Sequence, residues 1–295
     1  MVEKKLNWQS KLVLLAVLPF AGTEAVLECG RWAAHGAAEA VWTIGASALL
    51  GVLTWILRAA KPSAALTGAL ITASLMFSTG TIPYEPWRTE LVPVLVVSLL
   101  AFGATRAGRQ KKEQLGTAEG RRGRSAAQVA ANLGVAAIIA SNPMEMWLMN
   151  RGFASGMMVH YVAVVLSLAA LAEAAADTVS SEIGQVLGGH PRLITTFKTV
   201  DAGRDGGISL AGSLAGVAAA ATVAGAGTWA MHFGRESFWI SVAGAAFGLF
   251  FDSLLGATFE ERGWLNNDAV NFLSTASAAG FALFLLAIVP HLGVG

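Results

Sequence analysis

The chain has 295 residues, 55% of them hydrophobic and only 13% charged, with a net charge of +1 and a mean hydropathy of +0.58. Soluble domains carry about a quarter charged residues, so a soluble globular fold is excluded. The near-neutral balance singles out no partner, no nucleic acid is expected, and the single Cys29 rules out an internal disulfide or a cysteine-based metal cluster.

Apolar segments follow one another along the chain at approximately 12–28, 38–57, 65–82, 89–105, 126–145, 156–176, 207–231, 237–257 and 268–290. Each approaches the roughly 20 residues a membrane-crossing helix needs. Residues 206–231 and 269–290 contain no charge at all. The predicted fold is all-α, a polytopic transmembrane bundle of about nine spans. The segments lack the alternation a β-barrel requires. The first span is the weakest, because Glu24 and Glu28 sit near its end. Lys4 and Lys5 before an apolar run resemble a signal peptide, but no small-x-small cleavage site precedes the second span, so a retained anchor is expected.

Placing the N-terminus in the cytoplasm puts sixteen of the twenty Lys and Arg residues inside and leaves Arg31, Arg88, Arg151 and Arg235 outside. That asymmetry obeys the positive-inside rule. The expected setting is a bacterial inner membrane, with functional groups on the cytoplasmic side. The chain divides into N-terminal transmembrane helices (1–105), a basic cytoplasmic loop (106–125) and a motif-bearing transmembrane half (126–295). The loop reads as a solvated topology determinant, and also as a surface for anionic lipid heads or nucleotide phosphates. Small residues four apart, Gly212/Gly216 and Gly244/Gly248, read as close helix packing.

Polar chemistry is concentrated after residue 120. Gln128 and Asn132 form an i, i+4 pair just after the basic loop. Glu173, Asp177 and Ser181 share one helix face if the sixth span continues, with Glu182 beside them. Carboxylates at a helix C-terminus oppose its dipole, which favours a metal or substrate role over a purely structural one. Asp252 falls in the inner part of a span, where ionisable groups normally face a cavity. The loop PRLITTFKTVDAGRDGG at 191–207 offers Arg192, Thr195, Thr196 and Arg204 beside Gly203, Gly206 and Gly207. Glycines let backbone N–H groups converge on an anion, and a helix starts immediately after; the plainer reading is a turn. Asn267 and Asn271 lie on one face at the start of the last span, suited to a hard cation or a nucleotide, or simply to capping. Hard oxygen ligands beside a phosphate-binding loop suggest Mg²⁺ and a phosphorylated substrate. No P-loop or dinucleotide fingerprint occurs, and the five histidines are scattered.

QVAAN at 128–132, DTVSSEIG at 177–184, PRLITT at 191–196, GRDGGIS at 203–209, FDSLLGAT at 251–258 and NNDAVNFLS at 266–274 together resemble the membrane family known as domain of unknown function 92, which includes the plant phytyl-phosphate kinase of the vitamin E pathway. That family is similar in turn to CTP-using prenol kinases and lipid cytidylyltransferases. Here residues 259–265 bridge directly to the asparagine motif, where some relatives carry a long insertion. The resemblance implies transfer of a phosphoryl group from CTP or another NTP to a prenyl monophosphate, such as phytyl or geranylgeranyl phosphate. On that view Asp177, Glu182 and Asp252 hold Mg²⁺, the glycine loop with Arg204 cradles the donor phosphates, and Asn267 and Asn271 complete the metal or nucleotide shell. The prenyl tail lies among membrane lipid. The rival readings are a cytidylyltransferase and, from a different class, an ion-coupled transporter using Asp177 and Asp252.

Overall fold

The computed structural model describes residues 7–116 and 123–288. Lys4, Lys5, residues 117–122 of the basic loop with Arg121 and Arg122, the end of the last predicted span and His291 lie outside the described residues. Within them the chain forms α1 (Asn7–His35), α2 (Ala37–Ile56), α3 (Pro62–Thr79), α4 (Leu91–Arg106), α5 (Arg109–Leu115), α6 (Ala126–Ile139), α7 (Asn142–Asn150), α8 (Met157–Leu187), α9 (Leu210–Ala230), α10 (Arg235–Leu255) and α11 (Asn267–Ile288). A two-stranded antiparallel hairpin, β1 (Arg192–Leu193) with β2 (Gly207–Ile208), sits in the loop between α8 and α9. Six helices, α1, α2, α8, α9, α10 and α11, are long and apolar enough to cross a membrane. A seventh candidate, α4 with α5, is bent by 62°. The protein is a polytopic helical membrane protein.

The architecture is organised around α8. Its apolar stretch is 94% buried, because α4, α6, α9, α10 and α11 all pack against it. Alanine makes that crowding possible: Ala163, Ala169, Ala170, Ala172, Ala175 and Ala176 are almost fully enclosed. The predicted small-residue stripes lie at these contacts. A Cβ on Gly216 would stand 2.8 Å from the Ala176 carbonyl oxygen, and one on Gly244 would stand 2.7 Å from that of Ala278. Close backbone approach of this kind is how helices associate in lipid, where apolar burial gives little preference for protein over lipid. A second group, α1, α2 and α3, leans on α6 and flanks the α8-centred half.

Two elements differ from the sequence-based expectation. The segment 126–145 is two helices, because Ser141 turns its hydroxyl onto the Ile138 carbonyl at 2.6 Å and Pro143 begins a new first turn. Conversely, α8 does not stop near residue 176. It runs on to Leu187 and ends at Gly188 and Gly189, carrying Gly184 within it where the helix packs closely on Gly212 of α9. Asp177 is therefore an interior helix residue, and the argument from dipole repulsion at a helix end does not apply to it. Lys112 also departs from a solvated loop: α5 folds it inward to 1% exposure.

Candidate active site

Where α8 emerges beside α10, a polar cavity of about 140 Å³ opens. From α8 it takes Asp177, Ser180, Ser181 and Gln185, and from α10 it takes Asp252 and Ser253. The loop contributes Gly203, Arg204, Asp205, Gly206 and Gly207, the turn after α10 contributes Glu260, and α11 contributes Asn267. Carboxylate, glycine-loop and asparagine motifs anticipated from sequence are thus brought to one place.

The loop is seated by close backbone contact. Gly206 has φ +74°, a left-handed conformation, and a Cβ there would fall 2.4 Å from that of Ala257. Only glycine meets both conditions. Opposite it, α10 passes into a π-helical turn, Gly256–Glu260; such turns recur at functional sites. This turn carries Glu260 into the cavity wall. Arg204 reaches across to Glu261, donating from Nε at 2.7 Å and also from a terminal guanidinium nitrogen. Asp205, outside the spans, is pushed above the usual carboxylate range, first by partial desolvation and then by Glu261, with Arg204 pulling the other way.

Deeper in, Asp177 and Asp252 face each other within hydrogen-bonding reach, and the Ser274 hydroxyl approaches Asp252 and Glu173. The charge of Arg124 reaches Asp177. Glu173 is 1% exposed and fits only because Gly248 is bare: a Cβ there would sit 2.6 Å from Glu173 Cγ. One oxygen each of Glu173, Asp252 and Gln185 is buried without a hydrogen-bond partner. Native proteins rarely leave such atoms unsatisfied; Asp252 and Gln185 line the cavity and leave these oxygens available to a cation, whereas Glu173 does not line it. Among the described residues no three His, Cys, Asp or Glu side chains form a ready metal cage. Mg²⁺ does not ask for one, because it is usually held by one or two carboxylates together with waters and substrate phosphates. The donor set of Asp177, Asp252 and neighbouring amide and hydroxyl oxygens fits that ion.

Other residues anticipated from sequence lie apart. Glu182 does not line the cavity; it takes a hydrogen bond from Lys112 at 2.6 Å. Arg192, Thr195 and Thr196 sit at the hairpin, largely exposed, and also lie outside the lining. Gln128 closes a capping box with Ser125, accepting from its backbone N–H at 2.7 Å. Asn271 and Asn132 form a link instead: Asn267 donates to Asn271 at 3.3 Å, and Asn271 donates to Asn132 at 2.9 Å. The start of α11 is clasped by α1, 255 residues away in sequence. Gln9 donates to the Trp264 carbonyl at 2.8 Å and accepts from the Asn266 N–H at 2.8 Å, while Ser10 donates to Asp268 at 2.5 Å. Sequence reasoning missed Ser274, Glu260, Lys112 and this clasp. Ser274 follows Asn271 by one helical turn and Glu260 belongs to an acidic pair after LGAT, but neither pattern marks a site by itself.

Comparison with known proteins places the chain in a family. A family model described as "Integral membrane protein DUF92" matches residues 45–279. The chain is 34% identical over 207 residues to the uncharacterized membrane protein sll0875 of Synechocystis, covering 67% of this chain and 73% of that one. It is 28% identical over 213 residues to the chloroplastic protein VTE6 of Arabidopsis thaliana, covering 71% and 62%. Over a shorter stretch of 114 residues it is 41% identical to the uncharacterized membrane protein MJ0933 of Methanocaldococcus jannaschii, covering 38% and 47%. No solved structure matches. With the family motifs spread over α6 and α8–α11 and the match running through most of the chain, this protein belongs to the integral membrane family DUF92.

Proposed function

We propose that this protein is an integral-membrane kinase that transfers the terminal phosphoryl group of CTP, or another NTP, to a prenyl monophosphate in the presence of Mg²⁺. One observation carries the reading: Asp177, Asp252, Asn267 and the Gly203–Arg204–Gly206–Gly207 loop line a single polar cavity, although up to 90 residues separate them in sequence. Phosphoryl transfer asks a protein for positioning and charge neutralisation rather than covalent participation, and this cavity offers both. The nine-span topology with a cytoplasmic N-terminus belongs to the same proposal, and it gives soluble nucleotide access to the cavity.

In the reaction an oxygen of the lipid monophosphate forms a bond to the terminal phosphorus of the nucleotide. The bond from that phosphorus to the bridging oxygen breaks, and its electron pair leaves with the nucleoside diphosphate. The acceptor has a second pKa of about 6, so it attacks as a largely ionised phosphate and no protein base need remove a proton. Mg²⁺, when bound, neutralises phosphate charge. Asp177 and Asp252 supply its carboxylate ligands, and Asn267 adds an amide oxygen. The backbone N–H of Gly206, with Arg204, orients the donor phosphates, while that of Gly207 holds the turn by donating to the Arg204 carbonyl at 3.0 Å. Glu182, paired to Lys112, braces the cytoplasmic end of α8. The plant kinase named with the motifs supports the prenyl phosphate as acceptor.

Purified protein, geranylgeranyl or phytyl monophosphate, Mg²⁺ and CTP labelled at either the α or the γ phosphorus provide the test. Label from the γ position in a lipid diphosphate is expected. Label from the α position would make the protein a cytidylyltransferase, and no transfer from any NTP would end the kinase reading.

A further inference from the structure

A larger cleft, of about 430 Å³, lies between α2, α3, α4 and α6, mostly walled by the N-terminal helices that carry no motif. It falls in the range of about 300–1,000 Å³ typical of small-molecule sites. Its walls are apolar along Leu50, Val94, Val97, Ala101 and Leu133, and small residues (Gly51, Ala64, Ala65, Gly68) hollow them out. At one end the lining changes to Arg58, Arg106, Arg109 and Arg124. Among the described residues no carboxylate lines the cleft, and neither Arg58 nor Arg106 has a carboxylate partner. Arg106 instead caps the Leu57 carbonyl at 2.8 Å and lies over the Phe102 ring, whereas Arg109 pairs with Glu113 at 3.0 Å. An oily trough ending in guanidinium groups matches an amphiphile with a phosphate head, because arginine recognises phosphate through paired N–H donors.

The cleft adjoins the carboxylate cavity at two points. Asn132 lines the cleft and accepts from Asn271, whose partner Asn267 lines the cavity. Arg124 also lines the cleft, and its charge acts on Asp177 across the boundary. We infer that this cleft is the acceptor site: a single-chain lipid monophosphate lies with its tail along α3 and α4 and its phosphate among the arginines, next to the donor phosphates. The identity of the lipid rests on the kinase reading, but the binding does not. The motif-poor N-terminal helices then have a purpose as the hydrophobic half of a two-part site, one part for each substrate.

The test uses full-length protein in nanodiscs with a diazirine-bearing geranylgeranyl monophosphate and no nucleotide. Photolabelled peptides are expected from α2, α3, α4 or α6. Unlabelled geranylgeranyl monophosphate should compete at least about tenfold better than geranylgeraniol, as loss of one charge-assisted contact implies, and better than phosphatidate, whose second chain a single-chain trough does not take. Ala101→Trp, which fills the trough, and Arg58→Gln, which removes a head contact, should each lower labelling by about tenfold or more at unchanged melting temperature. Label confined to the surfaces of α8–α11, or phosphatidate competing as well as the monophosphate, overturns the inference. Should either variant fail to fold, the wild-type label map decides alone. Labelling in the cleft without any phosphoryl transfer would defeat the kinase reading and keep the cleft; transfer with label elsewhere would defeat the cleft and keep the kinase.

Discussion

Lys112 Nζ lies 2.6 Å from Glu182 Oε2, with the lysine side chain 1% and the glutamate 13% exposed. The lysine also donates to the carbonyls of Ala104 and Thr105 at 3.0 and 2.8 Å. This one ammonium therefore ties the end of α4 to α8 beside the polar cavity. Breaking a buried pair from one side costs about 3–5 kcal/mol, because a charge is left uncompensated. Lys112→Met is expected to lower stability by that order, while Lys112→Met with Glu182→Met together should recover much of it. Thermal unfolding of the single and double variants beside the parent, in detergent, checks this. A double variant no more stable than the single one would remove the pair from the account of how α8 is held.

Asp177→Asn and Asp252→Asn should each abolish most turnover while leaving expression and melting temperature near those of the parent. A metal ion on a phosphoryl oxygen contributes several kcal/mol of transition-state stabilisation, equivalent to about 10²-fold or more in rate. Steady-state rates across a Mg²⁺ titration provide the measurement. Near-parental turnover in both variants would mean that the facing carboxylates do not hold the ion.

The left-handed Gly206 gives a sharper comparison, because Gly189 has similar geometry in open space. Gly189 has φ +61°, and a Cβ there would meet no atom within 4 Å, whereas one at Gly206 meets Ala257. Both alanine variants carry a left-handed strain of about 1–2 kcal/mol, but only Gly206→Ala displaces the loop. We expect Gly206→Ala to raise the KM for nucleotide and Gly189→Ala to leave it unchanged. Equal effects on KM would show that strain, rather than the seat on the π-helical turn, is what matters.

Gln9→Leu removes two of the hydrogen bonds that join α1 to the chain before α11. An orphaned buried group costs about 1–3 kcal/mol, so a loss of that size is expected, with Ser10→Ala smaller. Unfolding midpoints in detergent report it, and an unchanged midpoint for Gln9→Leu would deny the clasp any weight.

The apolar runs fall on helices because burial in lipid leaves an uninterrupted signature in one dimension. The convergence of Asp177, Asp252, Asn267 and the glycine loop was legible for a similar reason: each adjoins the same end of an apolar run. The continuation of α8 was not, since residues 177–187 are too polar for a hydropathy window and their helicity comes from packing against α9. The break at Ser141 and Pro143 was written in the sequence but masked by the apolar residues on either side. Glu182 misled for a physical reason, because its neighbour in sequence, Ser181, lines the cavity while its own carboxylate finds an ammonium 70 residues away. Apart from Val129 and Asn132 of the QVAAN stretch, the cleft lining carries no motif. Shape made by glycine, alanine and valine has no spelling that distinguishes a hollow from a packed core.

The enclosure of α8 bears on how the protein is made. When that helix first leaves the ribosome, Asp252 and Ser274 have not yet been synthesised, so Glu173 and Asp177 must wait in the membrane without the groups that later surround them. Arg124 is the one charge partner already made by then, and the set is complete only once α11 has followed.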